Sequence, residues 1–290
     1  MQIPTYNENR MREELQHKIK AAIKLLQAFD GPEPVEIAYS GGKDSDVILQ
    51  LAKESGINYR AIYKNTTLDP PGTIKHVQEM GVEIRQPREG KRFFQLVEKR
   101  GYPSRFVRFC CSELKEYKIL DKCVMGVRRE ESRKRTENYK EPTQCRFYGS
   151  KKEHVEAIYP ILEWTTQDVA EFIADRGIKC APIYYDEQGT FHPERRLGCM
   201  ACPLAYKTKR IADFQKYPGL LKAYIRAGRK FLESHPDSKI AQNYHGDVYE
   251  YFVRCMFFAT DEEMRRSDGG LFDMKADYKS FIEQQIGIKL

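Results

Sequence analysis

Six consecutive residues, Ser40-Gly41-Gly42-Lys43-Asp44-Ser45, bring together two hydroxyls, two glycines, an ammonium and a carboxylate. They follow the short run Val35-Glu36-Ile37-Ala38-Tyr39. They precede Val47, Ile48, Leu51 and Ala52, which recur at helical spacing. A strand that ends in glycines and turns into a helix directs backbone N–H groups at one point. The helix N-terminus adds about half a positive charge. Such a cup suits a phosphate. Lys43 can neutralise its charge, Ser40 and Ser45 can donate hydrogen bonds, and Asp44 can hold a magnesium ion. The stretch is neither Gly-x-x-x-x-Gly-Lys-Ser/Thr nor Gly-x-Gly-x-x-Gly.

The cysteines are the second chemical signal. Cys199-Met200-Ala201-Cys202 is a Cys-x-x-Cys, and Cys110-Cys111 lie upstream. Alone, the Cys-x-x-Cys is compatible with a redox pair, half a zinc site or part of an iron–sulfur site. Adjacent cysteines rarely both reach one zinc, but a cubane cluster offers separate iron corners. Cys123, Cys180 and Cys255 sit beside apolar residues and read as buried thiols.

These groups need a scaffold. Apolar spacing predicts a helix over 9–29, with Met11, Leu15, Ile19, Ile23 and Leu26 on one face. Strand 35–39, helix 44–54, strand 58–63, helix 73–80, strand 82–85, helix 91–100 and a buried strand over 122–127 follow. Strands alternating with helices imply a mainly parallel sheet, and such sheets bind ligands beyond the carboxyl ends of their strands. Residues 129–152 are highly charged and read as a long loop over the site. A helix capped at Thr165 or Thr166 is expected within 160–175, with Trp164, the sole tryptophan, in the core. The expectation is an α/β fold with a five- or six-stranded, mainly parallel sheet flanked by helices, and a helical C-terminal region. The expected divisions are 1–30 (N-terminal helix), 31–205 (catalytic domain with the cysteines) and 206–290.

The chain has 290 residues, 41% of them hydrophobic, and a net charge of +7. It can bury a sizeable core, and its mild basicity fits nucleotides or nucleic acid without demanding them. No apolar run approaches the roughly 20 residues needed to span a bilayer. The polar start lacks a signal core, so a cytoplasmic protein is expected. Eight cysteines are too sparse for a disulfide scaffold. Residues 206–232 hold eight Lys or Arg and one acid, Asp213, with Tyr206, Tyr217 and Tyr224 interleaved. That pattern suits either an amphipathic packing helix or contact with a nucleic-acid backbone.

The Ser-Gly-Gly-Lys-Asp-Ser loop resembles the pyrophosphate loop of the ATP pyrophosphatases of the adenine nucleotide alpha-hydrolase type. With "FCCSELKEYKI", "GVRREESRKR", "YPILEWTTQDVAEFI", "PIYYDEQG" and "RRLGCMACPL", residues 35 to 205 are similar to the phosphoadenosine phosphosulfate reductase family. The resemblance implies that Ser40 through Ser45 grip ATP and that a nucleophilic oxygen attacks the α-phosphate. Lys43, Asp44 and Arg128 are its implied catalytic residues. Thr66, Asp69, Arg128 and Arg129 are implied to lie along the nucleotide, with Glu130 or Glu131 a base or an ion-pair partner. It also implies that Cys110, Cys111, Cys199 and Cys202 hold a 4Fe–4S cluster. Cys145 is a rival for Cys110, and zinc is the alternative metal.

Two departures from the reductases bear on function. Their loop is degenerate, whereas this one is intact. They use a C-terminal Glu-Cys-Gly segment, whereas this chain ends "YKSFIEQQIGIKL", and Cys255 is its only cysteine after Cys202. An intact loop with a cluster resembles the ATP pyrophosphatases of DNA phosphorothioation. The expected function is adenylation of an acceptor oxygen for sulfur transfer, with DNA or RNA as acceptor and a cysteine desulfurase as sulfur donor. The alternatives are a sulfonucleotide reductase, an ATP sulfurylase-like adenylyltransferase, and a non-catalytic nucleotide-binding subunit of a modification or defence complex.

Overall fold

A computed structural model describes residues 12–148, 153–257 and 277–290. In chain order its elements are α1 (Glu13–Phe29), β1 (Val35–Tyr39), α2 (Lys43–Ser55), β2 (Tyr59–Lys64), α3 (Thr73–Glu79) and β3 (Glu83–Arg85). These are followed by α4 (Phe93–Arg100), α5 (Phe109–Leu114), β4 (Lys122–Val124), α6 (Arg133–Asn138), β5 (Thr143–Tyr148), β6 (Glu153–Ile158) and α7 (Thr166–Asp175). The chain continues through α8 (Lys207–Lys216), α9 (Pro218–Ser234), α10 (Lys239–Asn243), α11 (Val248–Phe252) and α12 (Tyr278–Ile286).

The chain divides into two compact units. The first comprises Met1–Asn65, Asp69–Gln86 and Glu116–Gly198; the second comprises Thr66–Leu68, Pro87–Lys115 and Cys199–Leu290. The sequence therefore leaves the first unit twice and returns to it each time before the final stretch from Cys199.

The first unit is built on a six-stranded sheet of order β3-β2-β1-β4-β6-β5. All pairings are parallel except β5 with β6. The apolar strand β1 is central. Its neighbours β2 and β4 lie on opposite sides, so strand order reverses there, the position at which sheets of this kind bind ligands beyond their strands' carboxyl ends. The α1 face buries Leu15, Ile19, Ala22, Leu26 and Phe29 against β1 and α2; Ile23 is only half-buried, and Met11 lies outside the described residues. Each such large apolar side chain contributes about 1.5–3 kcal/mol on burial. Trp164 and Phe172 pack edge-on in the same core.

Residues 129–152 are not one long loop. They hold a short 3-10 turn, α6 and the edge strand β5, before β6 begins. The strand was hidden because an edge strand pairs on one side only. It can carry polar residues such as Thr143 and Gln144 at little cost. Strand β4 is shorter than expected and stops at Val124, before Gly126 and Arg128 take up other work.

The second unit is helical around an aromatic core. In α9, Leu220, Leu221, Tyr224, Ile225, Gly228, Phe231 and Leu232 are all buried, as their spacing predicts. Tyr102, Phe214, Tyr251 and Phe252 pack on them. No helix among the described residues is long and apolar enough to cross a membrane.

Candidate active site

Ser40 follows the last residue of β1, and α2 starts at Lys43 with Gly42 as its N-cap. Gly41 has a φ of +76°, a conformation that favours glycine, and a side chain there would meet Thr73 at 3.0 Å. The loop is internally braced. Ser45 Oγ donates to the Gly42 carbonyl at 2.7 Å, Ser40 Oγ donates to Ser45 Oγ at 3.2 Å, and the Gly42 amide donates to Ser40 Oγ.

Three charged groups meet at the first turn of α2. Asp44 Oδ2 accepts from Lys43 Nζ at 3.0 Å, and Asp44 Oδ1 accepts from Arg128 Nε at 2.7 Å. Arg128, 2% exposed, comes from the segment after β4. Its Nη1 donates to Glu130 at 2.9 Å and to the Trp164 carbonyl and Thr166 Oγ1 at 3.3 Å each. Glu130 in turn accepts from both the amide and the hydroxyl of Thr166, at the start of α7. Burial alone would raise the Glu130 carboxyl, but the bonds from Thr166 and Arg128 outweigh it and hold it below its usual value. Arg128 is thus clamped between two carboxylates and the start of a helix.

Several participants carried no assigned role in the sequence. Tyr184 Oη accepts from the amides of Lys43 at 3.2 Å and Leu197 at 3.3 Å. Burial pushes its phenol well above its ordinary value, so the group stays neutral. Lys43 Nζ lies 5.5 Å from the same ring. Gly126 runs so close to α2 that a Cβ there would stand 2.9 Å from the Asp44 carbonyl oxygen. Arg196 donates to Glu131 at 2.6 Å, and Arg135 pairs with the same carboxylate. Burial lowers the Arg135 guanidinium, as does Arg196, while Asp44 raises it. The signal for these residues lay in strings already recognised, "PIYYDEQG" and "RRLG", but no composition rule separates Tyr184 from Tyr185.

Behind the loop, Asp46 Oδ1 binds Tyr39 Oη and lies 3.0 Å from His76 Nε2, with all three side chains buried. This pins the first turn of α2 to the end of β1 and to α3.

The other residues expected along the nucleotide have partners of their own. Arg129 reaches the Tyr139 and Lys140 carbonyls and Glu163, which ties down the chain before β5. Asp69 accepts from Tyr63 Oη at 2.6 Å. Thr66 falls in the second unit, where its hydroxyl accepts from the Leu68 amide and the Cys199 thiol.

That unit also holds the four expected cluster cysteines. Cys110 and Cys111 lie on α5, and Cys199 and Cys202 on the turn before α8. The turn is fixed by the Met200 amide on the Leu68 carbonyl at 2.8 Å and the Ala201 amide on Asp213 at 2.9 Å. The Cys110 thiol is pushed far up by its bond with Cys111, by burial, and by the fields of Cys111, Cys199 and Cys202. Four thiols therefore share one neighbourhood. Among the described residues, however, no three His, Cys, Asp or Glu side chains are drawn to metal-ligand spacing. Cys145 is exposed on the edge strand of the first unit. Cys123 and Cys180 are buried, and Cys255 is half-buried against the aromatic core.

Residues 34–205 match the phosphoadenosine phosphosulfate reductase domain. The chain belongs to this family. An uncharacterised protein of Methanocaldococcus jannaschii is 29% identical to this phosphoadenosine phosphosulfate reductase-family chain over 208 residues, covering 68% of the chain and 48% of the relative. A tRNA-cytidine(32) 2-sulfurtransferase of Pseudomonas fluorescens is 30% identical over 88 residues, covering 27% and 32%. The chain spans less than half the length of the curated relatives it matches. A phosphoadenylyl-sulfate reductase structure from Candida auris aligns with 66% of this chain and 97% of its own, at 15% identity and a TM-score of 0.43.

Proposed function

We propose that this member of the family is an ATP pyrophosphatase that adenylates an acceptor oxygen for sulfur transfer, with nucleic acid as acceptor. The observation that carries this reading is the intact, braced loop at the carboxyl end of β1, with Lys43 and Arg128 both held on Asp44. In ATP cleavage at the α-phosphate, pyrophosphate departs with growing negative charge. Lys43, the first-turn amides of α2 and the Arg128 guanidinium supply fixed positive charge for it. Its Nε and Nη1 hold Asp44, Glu130, Trp164 and Thr166, which fixes the guanidinium beside the loop. A magnesium ion fits Asp44 only once Lys43 and Arg128 shift toward phosphate oxygens, because both carboxylate oxygens carry a cation.

The cysteines fit a 4Fe–4S cluster better than scattered thiols. Tyr224 Oη is fully buried with no hydrogen-bond partner, and its phenol is raised by burial and by the fields of Cys110, Cys199 and Cys202. A buried donor orphaned beside these three thiols suits an inorganic sulfide as acceptor. Cys110, Cys111, Cys199 and Cys202 would hold the cluster, with Cys110 favoured over Cys145 because its field partners are the other three. When bound, the cluster would supply iron sites for sulfur or electron transfer. The outer sulfur of a persulfide on a cysteine desulfurase would displace AMP from the activated acceptor. Two equivalents of an external thiol would then reduce the remaining S–S bond, leaving sulfur on the acceptor, a free thiol on the donor and the external thiol as its disulfide. One relative's name records sulfur transfer to tRNA.

Reductase chemistry needs a reactive thiolate. Cys255 is held to about 11 by burial and shares a hydrogen bond with Tyr244, so it is a poor nucleophile at neutral pH.

The test uses full-length protein purified without oxygen, given ATP and magnesium with and without DNA or RNA. Pyrophosphate and AMP, lost in Lys43→Ala, are expected, together with iron, acid-labile sulfide and a broad absorbance near about 400 nm. ADP as product, or sulfite from an adenylyl sulfate, would refute the assignment. Zinc in place of iron would refute the cluster alone.

A further inference from the structure

The second unit carries a surface that the proposed adenylation does not use. Phe106 is 96% exposed and Val107 60%, on the segment just before Cys110; Tyr206 is 80% exposed and Leu204 50%, just after Cys202. Large hydrophobic side chains this exposed are otherwise absent among the described residues. The two segments are joined by Arg105 Nε donating to the Pro203 carbonyl at 3.4 Å. Phe106 and Val107 are presented by a tight turn, in which their amides donate to Ser104 Oγ and the Ser104 amide to the Val107 carbonyl. Exposed apolar patches of this kind mark binding surfaces.

The charge around the patch selects the ligand. Arg105, Arg108, Lys207 and Lys209 flank the four side chains, and neither 101–110 nor 203–210 contains an acid. Lys209 is already balanced by Asp213. The patch is thus aromatic and cationic and lies beside the cysteine neighbourhood. A protein partner would need only apolar area. A polyanion with planar faces uses both features, since bases stack on aromatic rings while phosphates meet Arg and Lys.

We infer that the Phe106–Tyr206 surface binds a single-stranded segment of nucleic acid, stacking bases on Phe106 and Tyr206. This deepens the sulfur-transfer reading and rests on it, because it supplies the acceptor's docking site next to Cys110, Cys111, Cys199 and Cys202.

The test is fluorescence anisotropy of labelled oligo(dT) and oligo(U) of about 12 nucleotides with the full chain, without ATP. Phe106→Ala and Tyr206→Ala are each expected to weaken binding about five- to 150-fold. Each phosphate neutralised on a single strand gives about a 2.6-fold loss of affinity between about 50 and about 200 mM salt. Because both rings lie in water, the variants should melt like the native protein. No binding by the native chain, or binding unchanged in both variants, would overturn the inference. Equal binding of polyphosphate, or of a duplex, would do the same. Pyrophosphate release is assayed separately on the same samples. Its absence alongside ring-dependent oligonucleotide binding would sink the adenylation reading and leave the surface standing.

Discussion

Arg128 Nε donates to Asp44 Oδ1 at 2.7 Å, across 84 positions of sequence. The same guanidinium reaches Glu130, Trp164 and Thr166, so one buried cation ties the first turn of α2 to the segment after β4 and to the start of α7. Replacing it with lysine keeps the charge but loses the fork. Arg128→Lys should reduce ATP cleavage about 100-fold or more, in line with loss of one fixed donor at a developing charge. Arg128→Ala should also destabilise the fold by about 3–5 kcal/mol, because Asp44 and Glu130 would lose a buried partner. Full pyrophosphate release by Arg128→Lys would remove the residue from the machinery.

Gly126 is a tighter constraint than its sequence suggests. A methyl group there meets the Asp44 backbone, which cannot rotate away as a side chain can. Gly126→Ala should cost about 1–3 kcal/mol of stability and weaken ATP binding together. Native-like thermal unfolding with native-like affinity would show that the first turn of α2 yields.

Tyr184→Phe removes the oxygen that accepts from the Lys43 and Leu197 amides. Without ligand, the variant should be less stable by about 1–3 kcal/mol, the cost of a buried N–H left without an acceptor. If a phosphate oxygen takes over the Lys43 amide, ATP should raise the melting temperature of Tyr184→Phe more than that of the native protein. An equal or smaller rise would mean that phosphate does not reach that amide.

Asp168 couples acid pH to the site. Burial would raise its carboxyl, but hydrogen bonds from Lys18 and Thr165 outweigh it and hold the group below its ordinary value. Asp168 is 1% exposed, paired with Lys18 at 2.8 Å and Arg12 at 2.6 Å, and it closes the capping box of α7 with Thr165. A depressed carboxyl contributes stability in full above its unfolded value, about 3.9, and loses it as pH falls through the lower folded value. Asp168→Asn should therefore cost about 2–3 kcal/mol at neutral pH and flatten the fall in stability below about pH 4. Denaturant unfolding at several pH values reads both effects, and an unchanged acid limb would assign the titration elsewhere.

Cys255 should be dispensable. With its thiol held at about 11, only about one molecule in ten thousand carries the thiolate at pH 7. Cys255→Ala should leave pyrophosphate release and sulfur transfer within about twofold of native, whereas Cys199→Ala or Cys202→Ala should lose iron. Abolished turnover in Cys255→Ala would restore the reductase alternative.

How much of this was legible follows from the range of each interaction. The loop and its helix were readable because a glycine turn between an apolar strand and an amphipathic helix is set by neighbours in sequence. The core faces of α1 and α9 were readable because burial follows a 3.6-residue period. Edge strand β5 was not, because its polar residues cost nothing on an open edge and so leave no apolar pattern. The partners of Thr66 and Arg129, Cys199 for one and the 139–140 carbonyls for the other, were not legible because residue type alone does not say which segment a side chain meets.

By itself, the sequence determined the strand, glycine turn and helix start around Ser40 to Ser45, the α/β class and the set of cysteines worth testing, since these depend on local spacing and residue chemistry. Only the tertiary structure decided that Arg128 is a buried clamp, that Tyr184 guards the Lys43 amide, and that Phe106 and Tyr206 stand in water beside the cysteines. Those outcomes rest on contacts between segments far apart in the chain, and on which side chains are left uncovered once the core has closed.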